Sequence, residues 1–174
     1  NAAMASEYLG GSKADYEAIN ANNSGSEFLQ GVVFDGSGKY WTETRNLING
    51  NSPFKASANH IDIPNVIDFM LLWTSGNSES EFRSVGSVPL GIPFKFFMKD
   101  ADGFLRNPGH PVTHNGPLNS LTRFRGEGDP DYKVLLADQI HKHFFNNGAM
   151  TPGRLTSRLQ RRVDEVKMPF LAEA

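Results

Sequence analysis

The sequence predicts a mostly helical α+β domain with a small sheet or a short β-hairpin. Three segments, 63–74, 132–144 and 155–166, carry apolar residues three and four positions apart, as the buried face of a helix does. Two short runs, 32–34 and 93–98, are rich in the β-branched and aromatic residues typical of strands. Neither an internal repeat nor a low-complexity tract divides the chain, so we predict one domain over residues 1–174.

Composition excludes several classes of protein. With 39% hydrophobic residues among 174, the chain can bury a real core, so disorder throughout is excluded. A net charge of -2 provides no bulk attraction for nucleic acid. The longest apolar run, 69–73, is far shorter than the roughly 20 residues of a membrane span, so no membrane span is predicted here. The sequence has no cysteine, which excludes disulfides and thiolate metal sites.

In the first third of the chain, two short helices precede a strand. A glycine pair predicts the end of a helix over 1–9, with Met4, Tyr8 and Leu9 on one face. Ser12 predicts the start of a second short helix. This helix would carry Tyr16 and Ile19. A polar loop over 20–26 follows it.

After the strand 32–34, the sequence predicts a helix and then a loop. The helix, 40–48, follows the turn sequence Asp-Gly-Ser-Gly, and 49–59 is loop by composition. The inward residues of this helix would be Trp41, Thr44, Leu47 and Ile48.

The next helix is predicted to be central. Asp62 can cap free N–H groups, and Pro64 is tolerated in a first turn. The helix should end near Gly76, and a polar segment, 77–83, follows. Because the helix is apolar around much of its circumference, it should be buried on several sides. Its inward residues would be Ile63, Val66, Ile67, Met70, Leu71 and Thr74.

The last third contains a long loop and two further helices. Repeated prolines and glycines exclude regular structure over 107–119, and loops of this length are often functional. Asp129 and Thr151, each followed by proline, predict the two helix starts. Asn146-Asn147-Gly148 should end the first of these helices, and Pro169 should kink or end the second.

The faces of these two helices follow from their periodicity. The buried face of the first would consist of Tyr132, Leu135, Leu136, Gln139, Ile140, His143 and Phe144. The inward face of the second would consist of Leu155, Leu159, Val163 and Val166. Its outward arginines are typical of a solvated face with intrahelical partners in Asp164 and Glu165. These arginines are Arg154, Arg158, Arg161 and Arg162.

Two carboxylates follow the strand 93–98. If the extended run continues, Asp100 and Asp102 project to the same side and repel each other unless a cation or a donor lies between them. Such hard oxygen ligands suit Mg²⁺ or Mn²⁺. The alternative is a solvated β-turn, which the following Gly103 also favours. The full spacing of an EF-hand calcium loop is absent.

Two further polar residues follow the central helix. Asn77 could ligate a metal, and Glu79 could accept a proton from a substrate hydroxyl. An ordinary loop at a helix exit is the alternative interpretation. The histidine pairs, His110 with His114 and His141 with His143, lack the spacing of zinc ligands. We expect solvent exposure for His141 and a packing role for His143.

Four segments, in this order, resemble the C-terminal half of the CotH-type kinase family, related to spore coat protein H. The segments are Ile-Asp-Ile-Pro-Asn-Val-Ile-Asp-Phe at 61–69, Gly-Asn at 76–77, Phe-Lys-Phe-Phe-Met-Lys-Asp-Ala-Asp at 94–102, and Leu-Ala-Asp-Gln-Ile-His-Lys-His-Phe-Phe-Asn-Asn-Gly at 136–148. The last segment, with its continuation through Pro152, is the most specific match. Neither a phosphate-binding glycine loop nor a G-x-S-x-G elbow is present.

The resemblance implies the C-lobe of a secreted or surface-associated atypical protein kinase that uses ATP with Mg²⁺ or Mn²⁺. Its metal pair corresponds to Asp100 and Asp102, and its loop asparagine to Asn77. Where that loop usually carries aspartate, this chain has Ser78 and Glu79. The basic N-terminal half that would grip the nucleotide is not recognisable, so these residues alone should be inactive.

Three hypotheses follow from the sequence. The first is a CotH-like kinase lobe that acts on protein hydroxyls, with protein substrates or surface and coat proteins as partners. The second is a catalytically degenerate structural or binding module of a cell surface. The third is an extracellular module in which the same carboxylates bind Ca²⁺, which prefers about seven ligands where Mg²⁺ prefers six.

Overall fold

A computed structural model describes residues 2–21, 32–76, 82–98 and 128–173 and confirms the α+β class. The chain forms two compact units, Asn1–Lys133 and Val134–Ala174, which we describe separately. The helices are α1 (Ala2–Leu9), α2 (Lys39–Ile48), α3 (Pro53–Ser57), α4 (Ile63–Gly76), α5 (Pro130–Phe144) and α6 (Pro152–Glu173). The strands are β1 (Glu17–Ala21), β2 (Val32–Asp35), β3 (Phe82–Ser87) and β4 (Ile92–Met98), and short 3₁₀ helices cover Lys13–Asp15 and Val88–Leu90.

The four strands form one antiparallel sheet in the order β2-β1-β3-β4. Strand β3 was not predicted, and the interpretation of 77–83 as a polar segment is wrong at Phe82 and Arg83, which belong to this strand. Its sequence, Phe-Arg-Ser-Val-Gly-Ser, contains few strand formers. A Cβ added at Gly86 would lie 2.8 Å from the Phe94 backbone, so close strand approach at this position requires glycine.

A buried aromatic cluster of the first unit lies on one face of the sheet. Phe94 and Phe96 of β4 are buried, whereas Lys95 between them is exposed, as the pleat requires. The Trp41 ring of α2 meets the Phe94 ring edge-on at 5.3 Å. The Phe69 ring of α4 lies 6.4 Å from the Phe96 ring. Helices α2 and α4 therefore pack on the same strand, and the predicted central position of α4 agrees with the burial of Ile63, Val66 and Ile67.

Met4, Tyr8 and Leu9 share one face of α1 as predicted, because all three line the same concavity, but this is not the buried face. Met4, Tyr8 and Leu9 are exposed, and the buried residues are Ala2 and Ala5. Alanine leaves room for close packing against the wholly buried Tyr16 ring, which a larger side chain would prevent. The exposed Met4 and Tyr8 instead line an open concavity of about 420 Å³, together with Phe34, Arg83 and Phe97.

The second predicted helix is a single 3₁₀ turn that leads into β1. The predicted cap at Ser12 is present, because the Ser12 N–H donates to Asp15 Oδ2 at 2.7 Å. Ile19 is buried, but it lies in a strand and not in the predicted helix. The Ser12 backbone N–H and then its hydroxyl lower the pKa of the Asp15 carboxyl.

Helix α2 confirms the prediction for 40–48, with Trp41, Thr44 and Ile48 buried. The loop predicted over 49–59 is wrong in part, because α3 lies within it. The Phe54 ring of α3 packs edge-on against the Tyr132 ring at 5.6 Å. This tertiary contact stabilises a helix too short to form alone.

The predicted cap of α5 is confirmed. Asp129 is buried, and its Oδ1 accepts hydrogen bonds from the backbone N–H groups of Asp131 and Tyr132 at 2.9 and 3.4 Å. Its Oδ2 lies 3.3 Å from Lys55 Nζ. Burial raises the pKa of Asp129, but these hydrogen bonds and the lysine charge outweigh burial and hold the pKa below the ordinary value of 3.8.

We expect Asp129→Asn to weaken the dependence of stability on acid. A carboxyl whose pKa is lower in the folded than in the unfolded state stabilises the protein at pH values above the unfolded-state pKa. This contribution is lost as the pH falls through the folded-state pKa. Urea unfolding at pH 7 and at pH values below 3.8 should therefore show a smaller acid-induced loss for Asp129→Asn than for the wild type. The exposed Asp138→Asn is the matched control. Equal acid-induced losses in the free energy of unfolding for all three proteins would contradict the expectation.

The second unit contains most of α5, the following turn and α6. Asn146 and Asn147 have φ values of 47° and 64°, so the predicted stop of α5 is confirmed. Helix α6 continues through Pro169 to Glu173, so Pro169 does not end it, and the alternative of a kink stays a prediction. The apolar residues Leu159, Val163 and Val166 were predicted to face inward and are exposed. Periodicity identifies an apolar face of a helix but does not identify what covers it.

Candidate functional site

One end of the sheet connects to both segments that carry the predicted site residues. Phe82, the first residue of β3, pairs with Met98, the last residue of β4. Helix α4 ends at Gly76, so residues 77–81 connect it to Phe82, and the chain continues beyond Met98 towards the paired carboxylates. The predicted catalytic residue Glu79 and the predicted metal ligands lie outside the described residues. Those ligands are Asn77, Asp100 and Asp102.

The outer edge of β4 is closed by the chain that enters α4. Ile61 forms a parallel bridge with Phe94. The Phe94 N–H donates to the His60 carbonyl at 2.7 Å, and the Phe94 carbonyl accepts from the Asp62 N–H at 3.0 Å. These contacts satisfy the backbone groups of Phe94 that no other strand reaches.

The Asn65 side chain continues this pairing by two residues. Its Oδ1 accepts from the Phe96 N–H at 2.6 Å, and its Nδ2 donates to the Phe96 carbonyl at 3.3 Å. The amide group therefore acts as one further strand residue would. It fixes the first turn of α4 to β4, two residues before that strand ends at Met98.

Asp62 links the same two elements through both carboxylate oxygens. Its Oδ1 accepts from the Asn65 N–H at 3.0 Å, which confirms the predicted helix cap. Its Oδ2 lies 3.4 Å from Lys95 Nζ on β4. Lys95 is half-exposed, so this ion pair should contribute less than about 1 kcal/mol. The geometry at this end of the sheet depends mainly on Asn65.

The metal site stays a prediction. Over residues 2–21, 32–76, 82–98 and 128–173, no group of three or more His, Asp or Glu side chains is arranged to hold a metal ion. His110 and His114 lie outside this part of the chain. His141 is exposed as predicted, stacked on the Phe145 ring at 5.8 Å, and His143 is half-buried.

Sequence reasoning missed two side chains that hold this unit together. Asn65 was predicted only as part of a helix, and Glu17 was not singled out. The signal for Asn65 is a poor helix former within an otherwise apolar first turn. The signal for Glu17 is one acidic residue between the apolar Tyr16 and Ala18 in a segment that should be inside.

Comparison with known proteins leaves the chain without an assigned family. Neither a family model, nor a curated protein, nor a solved structure matches the sequence. Among the described helices, none combines the length and the apolar character needed to cross a bilayer.

Proposed function

We propose that this chain is the C-terminal lobe of a CotH-like protein kinase, secreted or at the cell surface, that transfers the ATP γ-phosphoryl group to protein hydroxyls with Mg²⁺ or Mn²⁺. Asp100 and Asp102 bind the metal, Asn77 adds an amide oxygen, and Glu79 accepts the proton of the substrate hydroxyl. The observation that supports this proposal is the pairing of Phe82 with Met98. The two segments that carry these four residues attach to the sheet at this one pair.

Chain connectivity limits how far the predicted site residues can lie from this strand pair. Consecutive Cα atoms are about 3.8 Å apart, so two peptide units allow at most about 7.6 Å from Met98 to Asp100. Three units allow at most about 11.4 Å from Phe82 to Glu79. Side chains on two neighbouring chain segments within this reach can share one cation. A divalent cation offsets the repulsion between two carboxylates two residues apart.

The proposed chemistry divides the work between these residues and the nucleotide-binding half of the kinase. The metal ion supplies neutralisation of the charge on the transferring phosphates. The carboxylates hold the metal, and Glu79 holds the acceptor hydroxyl in line. Phosphate cradling supplies much of the positioning in phosphoryl transfer, so activity needs the N-terminal half that the family provides.

We expect Mg²⁺ or Mn²⁺ with ATP to raise the melting temperature of the full-length protein, and replacement of Asp100 and Asp102 by asparagine to remove that rise. A ligand that binds only the native state at 100 times its Kd stabilises by about 2.7 kcal/mol. Differential scanning fluorimetry with metal alone, ATP alone and both together measures the effect. The matched control replaces the exposed Asp138 and Asp164 by asparagine and should keep the full rise.

Three outcomes would overturn the proposal in different ways. An equal rise in the double variant and in the wild type would remove the metal role of these carboxylates. If the rise in melting temperature depends on these carboxylates but no phosphate is transferred from radiolabelled ATP to any protein acceptor, the degenerate surface module is favoured. The replacement of the usual aspartate by Ser78-Glu79 is the observation that favours this second candidate. A rise with Ca²⁺ but not with Mg²⁺ would favour the calcium-bound module.

A further inference from the structure

The second unit contains an open concavity lined by arginines, which we call the groove. It has a volume of about 560 Å³ and lies between the turn that follows α5 and the first turns of α6. Three arginines at positions i, i+4 and i+7 of α6 line it, so they lie on one face of the helix. The lining residues are Asn147, Ala149, Arg154, Ser157, Arg158 and Arg161.

Two of these arginines have no acidic partner among the residues that the structure describes. Arg161 pairs with Glu165 at 3.7 Å, and the neighbouring Arg162, which is not in the lining, pairs with the same carboxylate. Within the described part of the chain, no carboxylate pairs with Arg154 or Arg158. The intrahelical pairs predicted from the sequence are therefore confirmed for one end of the arginine row only.

The local charge around this pair is strongly positive. Residues 152–163 include four arginines and no acidic residue. Arg154 Nε donates to the Asn147 carbonyl at 3.3 Å, which fixes this side chain at the rim of the groove. Like charges one helical turn apart repel each other, and an anion bound between them would relieve that repulsion. The groove is thus suited to a ligand with negative charge.

We propose that this groove binds an extended peptide segment phosphorylated at two positions, residues i and i+2, through Arg154 and Arg158. The proposal is independent of the kinase activity proposed above. Four residues of helix advance about 6.0 Å, which separates the two arginines along α6. Two residues of an extended peptide advance about 6.6 Å and place both side chains on the same side. The two spacings match to within about 1 Å.

The lining favours phosphate on an extended chain over other anions. Arginine binds phosphate through two parallel hydrogen bonds, a geometry that lysine cannot provide. None of the described residues of the lining is aromatic, so they offer a nucleobase no ring on which to stack. Most lining side chains are exposed and the groove is open, whereas pockets for small ligands enclose most of the ligand surface. An extended chain can use an open groove along its whole length.

Fluorescence anisotropy with the labelled peptide Ala-pSer-Ala-pSer-Ala tests the proposal on the whole 174-residue chain. We expect this peptide to bind at least about tenfold more tightly than Ala-pSer-pSer-Ala-Ala, whose phosphates point to opposite sides of an extended chain. Arg154→Gln and Arg158→Gln should each weaken binding by about tenfold. The matched control is Arg162→Gln, which removes the same charge outside the groove and should change affinity by less than about twofold.

Three outcomes would overturn the proposal. Equal losses for Arg162→Gln and Arg158→Gln would show an effect of net charge alone. Equal affinity for the two peptides would show that the spacing of the phosphates does not contribute to binding. Tighter binding of a single-stranded RNA of the same charge would identify a nucleic acid as the ligand. Circular dichroism of each variant shows whether α6 remains helical, and Arg158→Lys separates geometry from charge because it keeps the charge but should still bind more weakly.

Discussion

Replacement of Glu17 by alanine should lower the free energy of unfolding by about 3 to 5 kcal/mol. Glu17 is 3% exposed and lies in β1. Its Oε2 accepts from the Trp41 N–H at 2.7 Å, and its Oε1 accepts from the Tyr40 N–H at 3.2 Å and from the Ser37 hydroxyl at 2.6 Å. The variant would leave the buried Trp41 N–H and the half-buried Tyr40 N–H without their acceptor, whereas the hydroxyl of the exposed Ser37 can turn to water.

The size of this effect follows from how α2 begins. Gly38 occupies the cap position with φ of 75° and has no side chain to accept from the first turn. The carboxylate of Glu17 takes that role from another element and also places a negative charge at the positive end of the helix. Trp41, which the cap holds in place, is at the centre of the buried aromatic cluster. Loss of the cap should therefore loosen packing as well as the helix end.

A graded series tests this explanation. Glu17→Gln keeps the shape but turns an NH₂ group towards an N–H donor, so its loss should be intermediate. Ser37→Ala removes one donor and keeps the acceptor, and should cost about 1 kcal/mol. The exposed Glu7→Ala is the control and should stay within about 0.5 kcal/mol of the wild type. Urea unfolding followed by tryptophan fluorescence measures all four. A loss for Glu17→Ala no larger than that for Ser37→Ala would refute the capping role.

Local chemistry explains which elements could be predicted from the sequence. Asp62 and Asp129 cap α4 and α5 as expected because a cap uses residues only two or three positions away. Strand β3 and the buried face of α1 could not be predicted in this way. Gly86 and Ala5 are small because another element lies against them, and local sequence does not show that element.

The candidate site shows the same limit. The contact of Glu17 with Trp41 spans 24 residues, and that of Asn65 with Phe96 spans 31. Each residue is polar in a predicted apolar setting, which marks it as unusual but does not identify its partner. The spacing of Asp100 and Asp102 predicts a metal site, which stays a prediction, and the structure adds only the sheet pair from which their segment continues.

Replacement of Asn65 by alanine should lower the free energy of unfolding by about 2 to 4 kcal/mol, since two backbone groups of the buried Phe96 lose their partner. The exposed Asn46→Ala on α2 is the matched control and should stay within about 0.5 kcal/mol of the wild type. Amide hydrogen exchange gives a second, local measurement. The Phe96 N–H should lose protection in Asn65→Ala, whereas the Phe94 N–H, bonded to the His60 carbonyl, should keep more of it.

The same variant connects the fold to the proposed metal site. Asn65 joins the helix that leads to Asn77 to the strand that leads to Asp100, so its loss should free one of these segments relative to the other. We therefore expect Asn65→Ala to need a higher Mg²⁺ or Mn²⁺ concentration for half-maximal stabilisation of the full-length protein with ATP. Glu17→Ala lowers stability without removing a hydrogen bond to β4, so it should shift that concentration less. An equal shift in both variants would show that metal binding responds to global stability and not to the position of β4, because a residue that positions a site alters affinity beyond its effect on folding.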